Sequence, residues 1–377
     1  MKVLILSCNT GGGHNAAGRA LYEEFHRRGI ECEFLDTLSF ARPKASKKAS
    51  SIYVNITTKV PKLFQFFYNA GQWISSPHRK SVVYAFNCKY AAKLGDYIEE
   101  HQFDTIVMPH LFPAEALTYL KKNRSLRIRT YAVATDYTCI PFWEETNPDY
   151  FIIPHRELMR EFYRAGIPHE KLIPLGIPVQ RTFGVHRNQA EARQTLGLPE
   201  DGKMILIMSG SMGFGHIGKI ASALKKEYGT RLTLVILCGS NQKVREQLQQ
   251  KYAQSPNIFI VDYTDQVSLY MDAADILLTK PGGLTSTEAA AKRLPLILTA
   301  PIPGCETKNS AFYTRHNMAL APDNTGDYLQ AVRTLLDDES IREQMRNAQA
   351  LYVNPFSASM ICEFILEDYN KNFSPEE

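Results

Sequence analysis

The sequence has no long hydrophobic run. None of its apolar stretches approaches the ~20 residues that span a bilayer, and Met1-Lys2 leads straight into Val3-Leu4-Ile5-Leu6 without the charged and apolar regions of a signal peptide. Such a chain is expected to meet a membrane only at its surface. Its cysteines lack paired spacing: Cys8, Cys32, Cys88, Cys139, Cys238, Cys305 and Cys362 are scattered, several inside apolar runs. That pattern suggests neither a disulfide frame nor a zinc site, and fits a reducing cytosol. No Asp-x-Asp pair ends a strand-like run and no Gly-Lys-Ser/Thr closes a glycine-rich turn, so no essential metal and no P-loop are expected. Acid is missing over one long stretch. Between Thr37 and Gly95 stand ten Lys or Arg and no Asp or Glu, so the net charge of +4 conceals a basic block against a remainder of −6.

What is present is a regular alternation. With 377 residues the chain exceeds one ordinary α/β domain and can bury two cores. Continuous apolar runs of the kind that parallel sheets bury on both faces recur between helical patterns. They read as Val3 to Ser7, Cys32 to Asp36, Thr105 to Pro109, Thr130 to Thr135 and Phe151 to Pro154. A second series follows at Met204 to Met208, Leu234 to Leu237, Ile258 to Val261, Ile276 to Thr279 and Pro295 to Thr299. The expected fold class is α/β, two Rossmann-like doubly wound domains. Their expected bounds are 1–178 and 204–354, joined by a Pro- and Gly-bearing connection at 179–203. A closing helix within 355–377 could return to the first domain.

Each half opens with a strand that runs into a glycine-rich turn. The first is Ser7-Cys8-Asn9-Thr10-Gly11-Gly12-Gly13-His14 and the second contains Gly210-Ser211-Met212-Gly213-Phe214-Gly215-His216. Closely spaced backbone N–H groups before a helix accept phosphate oxygens, although such turns also arise simply to make a tight corner. Lys280-Pro281-Gly282-Gly283-Leu284-Thr285 is another turn of this kind, and two on one sheet favour a diphosphate. Glu288, early in the helix that follows, is placed to accept hydrogen bonds from ribose hydroxyls, or else it merely complements the helix dipole. Glu306 and Asn309, three residues apart, would share a helix face that suits sugar hydroxyls or plain solvent.

His14 is the candidate general base, because an alcohol must lose its proton as it attacks an anomeric carbon and imidazole titrates near neutral pH. Its place at a helix N-terminus is expected to lower its pKa; the bland alternative is a turn-capping role. Asp136, after an apolar strand, either orients that base or starts a loop. The acid-free block interleaves cations such as Lys44, Lys47, Lys48 and Lys62 with aromatics such as Phe66, Phe67 and Trp73. Adsorption to anionic lipid is the favoured account, with a core-facing aromatic cluster as the alternative. No nucleic-acid-binding module accompanies the block.

The motifs KPGGLTSTEAAAK and PIPGCETKN, with GGGH after the first strand, TDYTCIPFW from Thr135 and CGSN from Cys238, resemble glycosyltransferase family 28 over nearly the whole chain. Within it the chain is similar to monogalactosyldiacylglycerol synthases and processive diacylglycerol glucosyltransferases. The resemblance implies the GT-B fold, with the acceptor on the first domain, a UDP-sugar on the second and the reaction in the cleft they face. It implies that Ser211 to Phe214, adjoining Gly210, hold the diphosphate, supported by Gly283, Leu284 and Thr285, while Glu288 binds ribose. Backbone near Tyr263 and Thr264 would pair with uracil, Val267 and Met271 would line the base pocket, and Glu306 and Asn309 would hold the hexose. Gly12 and Gly13 fall with the acceptor. Related sequences carry Gln where this chain has Cys305, which alters a sugar contact.

The implied activity is inverting transfer of galactose or glucose from a UDP-sugar to diacylglycerol, without a cofactor, at the cytoplasmic face of the cell membrane. Rival assignments are a lipid-linked N-acetylglucosaminyltransferase, a UDP-sugar 2-epimerase and a non-catalytic nucleotide-sugar sensor. Neither processivity nor oligomeric state follows from the residues.

Overall fold

The computed structural model of the protein describes residues 1–9, 12–41, 80–208 and 217–373. The diphosphate turn expected at Gly210 to Phe214 lies outside these residues. So do Lys44, Lys47, Lys48, Lys62, Phe66, Phe67 and Trp73. The chain divides into two compact units: Met1–Gln180 with Pro303–Cys305 and Phe356–Glu377, and Arg181–Ile302 with Glu306–Pro355.

In the first unit, strands β1 (Lys2–Ser7), β2 (Glu31–Asp36), β3 (Thr105–Met108), β4 (Arg129–Val133), β5 (Tyr150–Ile152) and β6 (Leu172–Ile173) form one parallel sheet. Its order is β2-β1-β3-β4-β5-β6, with Val3 paired to Cys32 on one side and to Thr105 on the other. β1 is buried from Val3 to Ser7, as a strand covered on both faces must be. Helix α1 (Gly12–Arg27) crosses it closely. A Cβ on Gly18 would lie 2.5 Å from the Phe34 ring and 3.3 Å from Ile5, so only glycine fits that crossing. Helices α2 (Val82–Glu100) and α3 (Leu111–Asn123) pack on each other.

The closing helix, Ser357–Phe373, belongs to this unit. Ile361, Cys362 and Ile365 join Val3, Ile5, Leu21, Phe25 and Val133 in one apolar core. Arg129 grips Asp368 with two hydrogen bonds of 2.8 Å, and the Tyr131 hydroxyl donates to the same carboxylate at 2.5 Å. Burial opposes ionisation of Asp368, but these donors outweigh it and hold the carboxyl below its ordinary range.

The second unit carries β7 (Lys203–Met208), β8 (Leu232–Leu237), β9 (Ile258–Val261), β10 (Ile276–Thr279) and β11 (Leu296–Leu298), all parallel, in the order β11-β10-β7-β8-β9. Residues 181–202, expected to be part of a connection, are packed into this unit instead. Helix α4 (Gln189–Thr195) lies against α5 (Val267–Ala273), and Arg193 is the reason. Arg193 is 2% exposed, and its guanidinium donates to the carbonyls of Ala273, Glu200 and Gly202 and pairs with Asp275 at 2.9 Å. A buried charge so fully paired holds the segment down. Helices α6 (Gly283–Ala291) and α7 (Cys305–Arg315) follow β10 and β11.

Candidate functional site

Both sheets reverse direction next to their first strand. In the first unit the chain goes from β1 out to β2 and returns to β3 on the other side of β1; in the second it goes from β7 to β8 and β9, then returns to β10. The crevice beyond the carboxyl ends of the strands at such a reversal is where open α/β sheets hold ligands. His14 follows β1, and Pro109 and His110 follow β3. Lys280 to Gly283 follow β10.

At the first reversal His14 is half-buried in the opening turn of α1. Its Nδ1 lies 2.9 Å from the Pro109 carbonyl oxygen and 2.9 Å from Thr135 Oγ1. A carbonyl can only accept, so Nδ1 carries the proton of the neutral ring and Nε2 keeps the lone pair. Burial lowers the pKa of His14, while the charge of Asp136 and the Pro109 bond act in the opposite sense. Burial, rather than the helix N-terminus invoked from the sequence, is the leading cause. The half-buried Asp136 acts on His14 through its field.

His110 was not legible as a site residue. It caps α3 by accepting the Phe112 N–H on Nδ1 at 3.1 Å, and its ring meets His14 edge-on with centroids 4.6 Å apart. Burial and the neighbouring His14 push its pKa well below the usual imidazole range. The local signal was Pro109-His110-Leu111-Phe112-Pro113, a polar side chain just ahead of a proline in a helix's first turn. A polar chain ties together the residues on either side of the turn. Ser7 donates to Asn15 at 2.6 Å, Asn15 to Asn9 at 2.5 Å, and Asn9 to Asp36 at 2.7 Å. Gly12 and Gly13 form the first residues of α1 beside this chain.

At the second reversal Gly282 caps α6, and Gly283, Leu284 and Thr285 form its first turn, with its leading N–H groups at the end of β10. Glu288 lies on the same helix, 9% exposed, and its carboxyl makes no hydrogen bond among the described residues. Burial alone pushes its pKa up to about 8. Thr279 Oγ1 and Ser286 Oγ are also buried without partners there. Unpaired buried polar groups cost about 1–3 kcal/mol each, so two of them beside a desolvated carboxyl mark a place where the fold is not optimised for its own stability.

Tyr263 is exposed, and the Gln266 N–H donates to Thr264 Oγ1 at 3.0 Å as the chain enters α5. Val267 and Met271 lie on α5, with Met271 buried. Glu306 and Asn309 share a buried face of α7. Glu306 accepts from Lys280 at 2.5 Å with one oxygen and from the Ile302 N–H at 2.9 Å with the other. Asn309, with no exposed surface, donates to the Pro281 carbonyl at 3.0 Å. Both pin the β10 turn from behind.

Known proteins share this fold. The MurG structure from Acinetobacter baumannii is 15% identical over 97% of this chain and 99% of its own, with a TM-score of 0.65. MnaA of S. aureus in a UDP co-structure is 18% identical over 100% and 99%, with a TM-score of 0.65. Two doubly wound parallel sheets in one chain, with these neighbours, define the GT-B class. The monogalactosyldiacylglycerol (MGDG) synthase model matches residues 14–179, and the glycosyltransferase family 28 C-terminal domain matches residues 204–309. The chain belongs to glycosyltransferase family 28. It is similar to the processive diacylglycerol beta-glucosyltransferase of Bacillus subtilis (strain 168), 26% identical over 98% of this chain and 95% of that protein. The protein of the same description from Bacillus cytotoxicus is 25% identical over 97% and 94%.

Proposed function

We propose that this protein transfers a hexose from a UDP-sugar to the hydroxyl of diacylglycerol, with inversion, giving a β-glycosyldiacylglycerol. The observation that carries the chemistry is the tautomer of His14: a half-buried neutral imidazole, with Nδ1–H committed to Pro109, leaves Nε2 as a proton acceptor. One base and no enzymic nucleophile correspond to a single in-line displacement. Asp136 would stabilise the imidazolium that forms. His110 and Thr135 would hold the ring, acting through His14 rather than on the substrate.

The donor's nucleotide falls to the second unit: ribose to Glu288, phosphates to the N–H groups that open α6, and the base near Tyr263, Thr264, Val267 and Met271. Those helix-terminal dipoles offset the charge of the departing diphosphate, so no metal is required. Glu306 and Asn309 position the turn.

The acceptor implies a lipid surface. The described part of the basic block supports one, since α2 exposes Val82 (87%) and Phe86 (44%) one turn apart, with Lys89 and Lys93 on the following turns. Among the described residues no helix is long and apolar enough to cross a membrane. Incubation with UDP-glucose and UDP-galactose in turn, on vesicles containing diacylglycerol, tests the assignment and identifies the hexose. Transfer from neither sugar, or epimerisation of a UDP-sugar without acceptor, would sink it.

A further inference from the structure

The turn that follows β9 is held by side chains. β8 and β9 are parallel neighbours whose carboxyl ends are tied by the Cys238 N–H, which donates to the Val261 carbonyl at 3.1 Å. From β8 the chain enters the helix Gln242–Tyr252, and from β9 it passes through Asp262, Tyr263 and Thr264 toward α5. Arg245, early in the helix Gln242–Tyr252, reaches Asp262 and pairs through Nη1 with Oδ2. The other oxygen, Asp262 Oδ1, accepts the Tyr263 N–H at 2.8 Å, and Thr264 Oγ1 accepts the Gln266 N–H. Three consecutive residues are thus fixed by side-chain bonds, while the backbone N–H and C=O of Thr264 make no hydrogen bond among the described residues. The Arg245 and Asp262 side chains are 24% and 59% exposed, and a pair that open to water adds little to stability. Arg245 Nε is buried without a partner, a cost that a contact made only for stability would not carry. What the pair does secure is the backbone it reaches through Asp262.

We propose that Arg245 and Asp262 set the base specificity of the nucleotide site, as positioning residues that hold the Tyr263–Thr264 backbone in register with uracil. The proposal rests on the donor assignment above and deepens it. Uracil offers the carbonyl oxygen O4 as acceptor beside N3–H as donor, whereas cytosine offers an amino donor beside an N3 acceptor. A backbone N–H and C=O at Thr264 match the first pattern and not the second. Backbone can discriminate in this way only where it is fixed, since a turn that is free to move adapts its bonds to the wrong base. The pairing of β9 with β8 ends at Val261, so the sheet itself does not fix Thr264. The relay from Arg245 through Asp262 to the Tyr263 N–H supplies that constraint from the helix that follows the neighbouring strand. Neither side chain has to touch the nucleotide to do so.

The test is calorimetry with UDP and CDP on the wild type, Arg245→Met, Arg245→Lys, Asp262→Ala and the double variant Arg245→Met/Asp262→Ala, with melting temperatures and transfer kinetics alongside. Arg245→Met and Asp262→Ala should each weaken UDP about 3- to 10-fold and CDP less, so that the preference for UDP falls. KM for the UDP-sugar should rise with kcat nearly unchanged, as happens when a contact is lost equally from ground and transition states. Because the pair is exposed, melting temperatures should stay within about 2 °C of the wild type. The double variant should be no worse than either single one, since the two residues act along one path. Arg245→Lys, which can still pair with Asp262, should recover most of the preference. Single variants that keep the wild-type ratio of UDP to CDP affinity overturn the proposal, as does an equal loss of both nucleotides, which a loosened fold would give. Losses that add in the double variant overturn the shared path. A wild type that binds no UDP removes the donor assignment instead, a result that needs no variant.

Discussion

The two sheet reversals of this molecule are built alike in backbone and oppositely in hydrogen bonding. At the first, His14 Nδ1 is committed to Pro109 and Thr135, His110 caps α3, and Ser7, Asn15, Asn9 and Asp36 form a continuous chain. At the second, Thr279 Oγ1 and Ser286 Oγ are buried without partners among the described residues, and Glu288 is buried beside them with its pKa pushed up to about 8. A base has to present one chosen atom at one protonation state, and saturating every other atom achieves that. A ligand pocket has to keep donors and acceptors for a molecule not yet there, and it carries their desolvation meanwhile. The first arrangement suits the proposed base, which acts on a substrate; the second suits the proposed donor pocket, which waits for one.

The largest expected effect falls at the saturated end. His14→Ala should lower transfer about 10²- to 10⁴-fold and leave UDP affinity unchanged, because the proposed nucleotide contacts belong to the second unit. Rates within a few-fold of the wild type would remove His14 from the chemistry and the contrast with it.

At the unsaturated end, Glu288→Ala should weaken UDP and UDP-hexose alike by about 10-fold or more. The same carboxyl predicts a pH effect. Its folded pKa of about 8 is raised above the unfolded carboxylate value, so its contribution to stability is complete in mild acid and is lost as pH climbs toward 8. Glu288→Gln cannot ionise; without ligand it should melt a few degrees above the wild type at pH 8, with the gap closing toward pH 5. A gap independent of pH would show that the carboxyl is not desolvated as described. Glu115, buried beside Asn87 in the first unit and likewise pushed up to about 8, offers a control outside both sites.

A smaller effect is expected at the lipid surface. Replacing Val82 and Phe86 with Ser should reduce sedimentation with anionic vesicles a few-fold without moving the melting temperature, since both side chains are already exposed. Added salt should weaken adsorption of wild type and variant alike. Adsorption indifferent to lipid charge would leave the basic block without its proposed partner. The smallest effect should come from chelation: EDTA is expected to leave turnover unchanged, and a loss restored by magnesium would mean that helix dipoles do not suffice for the leaving group.

The alternation of buried strands and helices was legible because its signal is local: Val3 to Leu6, Met204 to Met208 and Ile276 to Leu278 are apolar throughout, as parallel strands covered on both faces must be. The motif turns were legible for the same reason, since glycines followed by a His or a Glu at a fixed offset need only neighbours to be read. The span 181–202 was misread because its prolines, glycines and charges look like a linker, while the bond that packs it joins Arg193 to Asp275, 82 positions away. His110 was passed over because a lone histidine carries no signal until another element brings a ring against it.

By itself, then, the sequence determined the two doubly wound sheets and the turns at which chemistry could sit, properties of periodicity and short spacing, while its motifs carried the family resemblance. The tertiary structure alone decided which nitrogen of His14 is free, through partners 95 and 121 residues distant, and that Glu306 faces Lys280 rather than open solvent. It also decided that the closing helix completes the first core. The physical reason is the same in each case. Backbone geometry follows from neighbouring residues, but burial and hydrogen-bond partners, which set protonation and charge, exist only where distant segments of the chain cross.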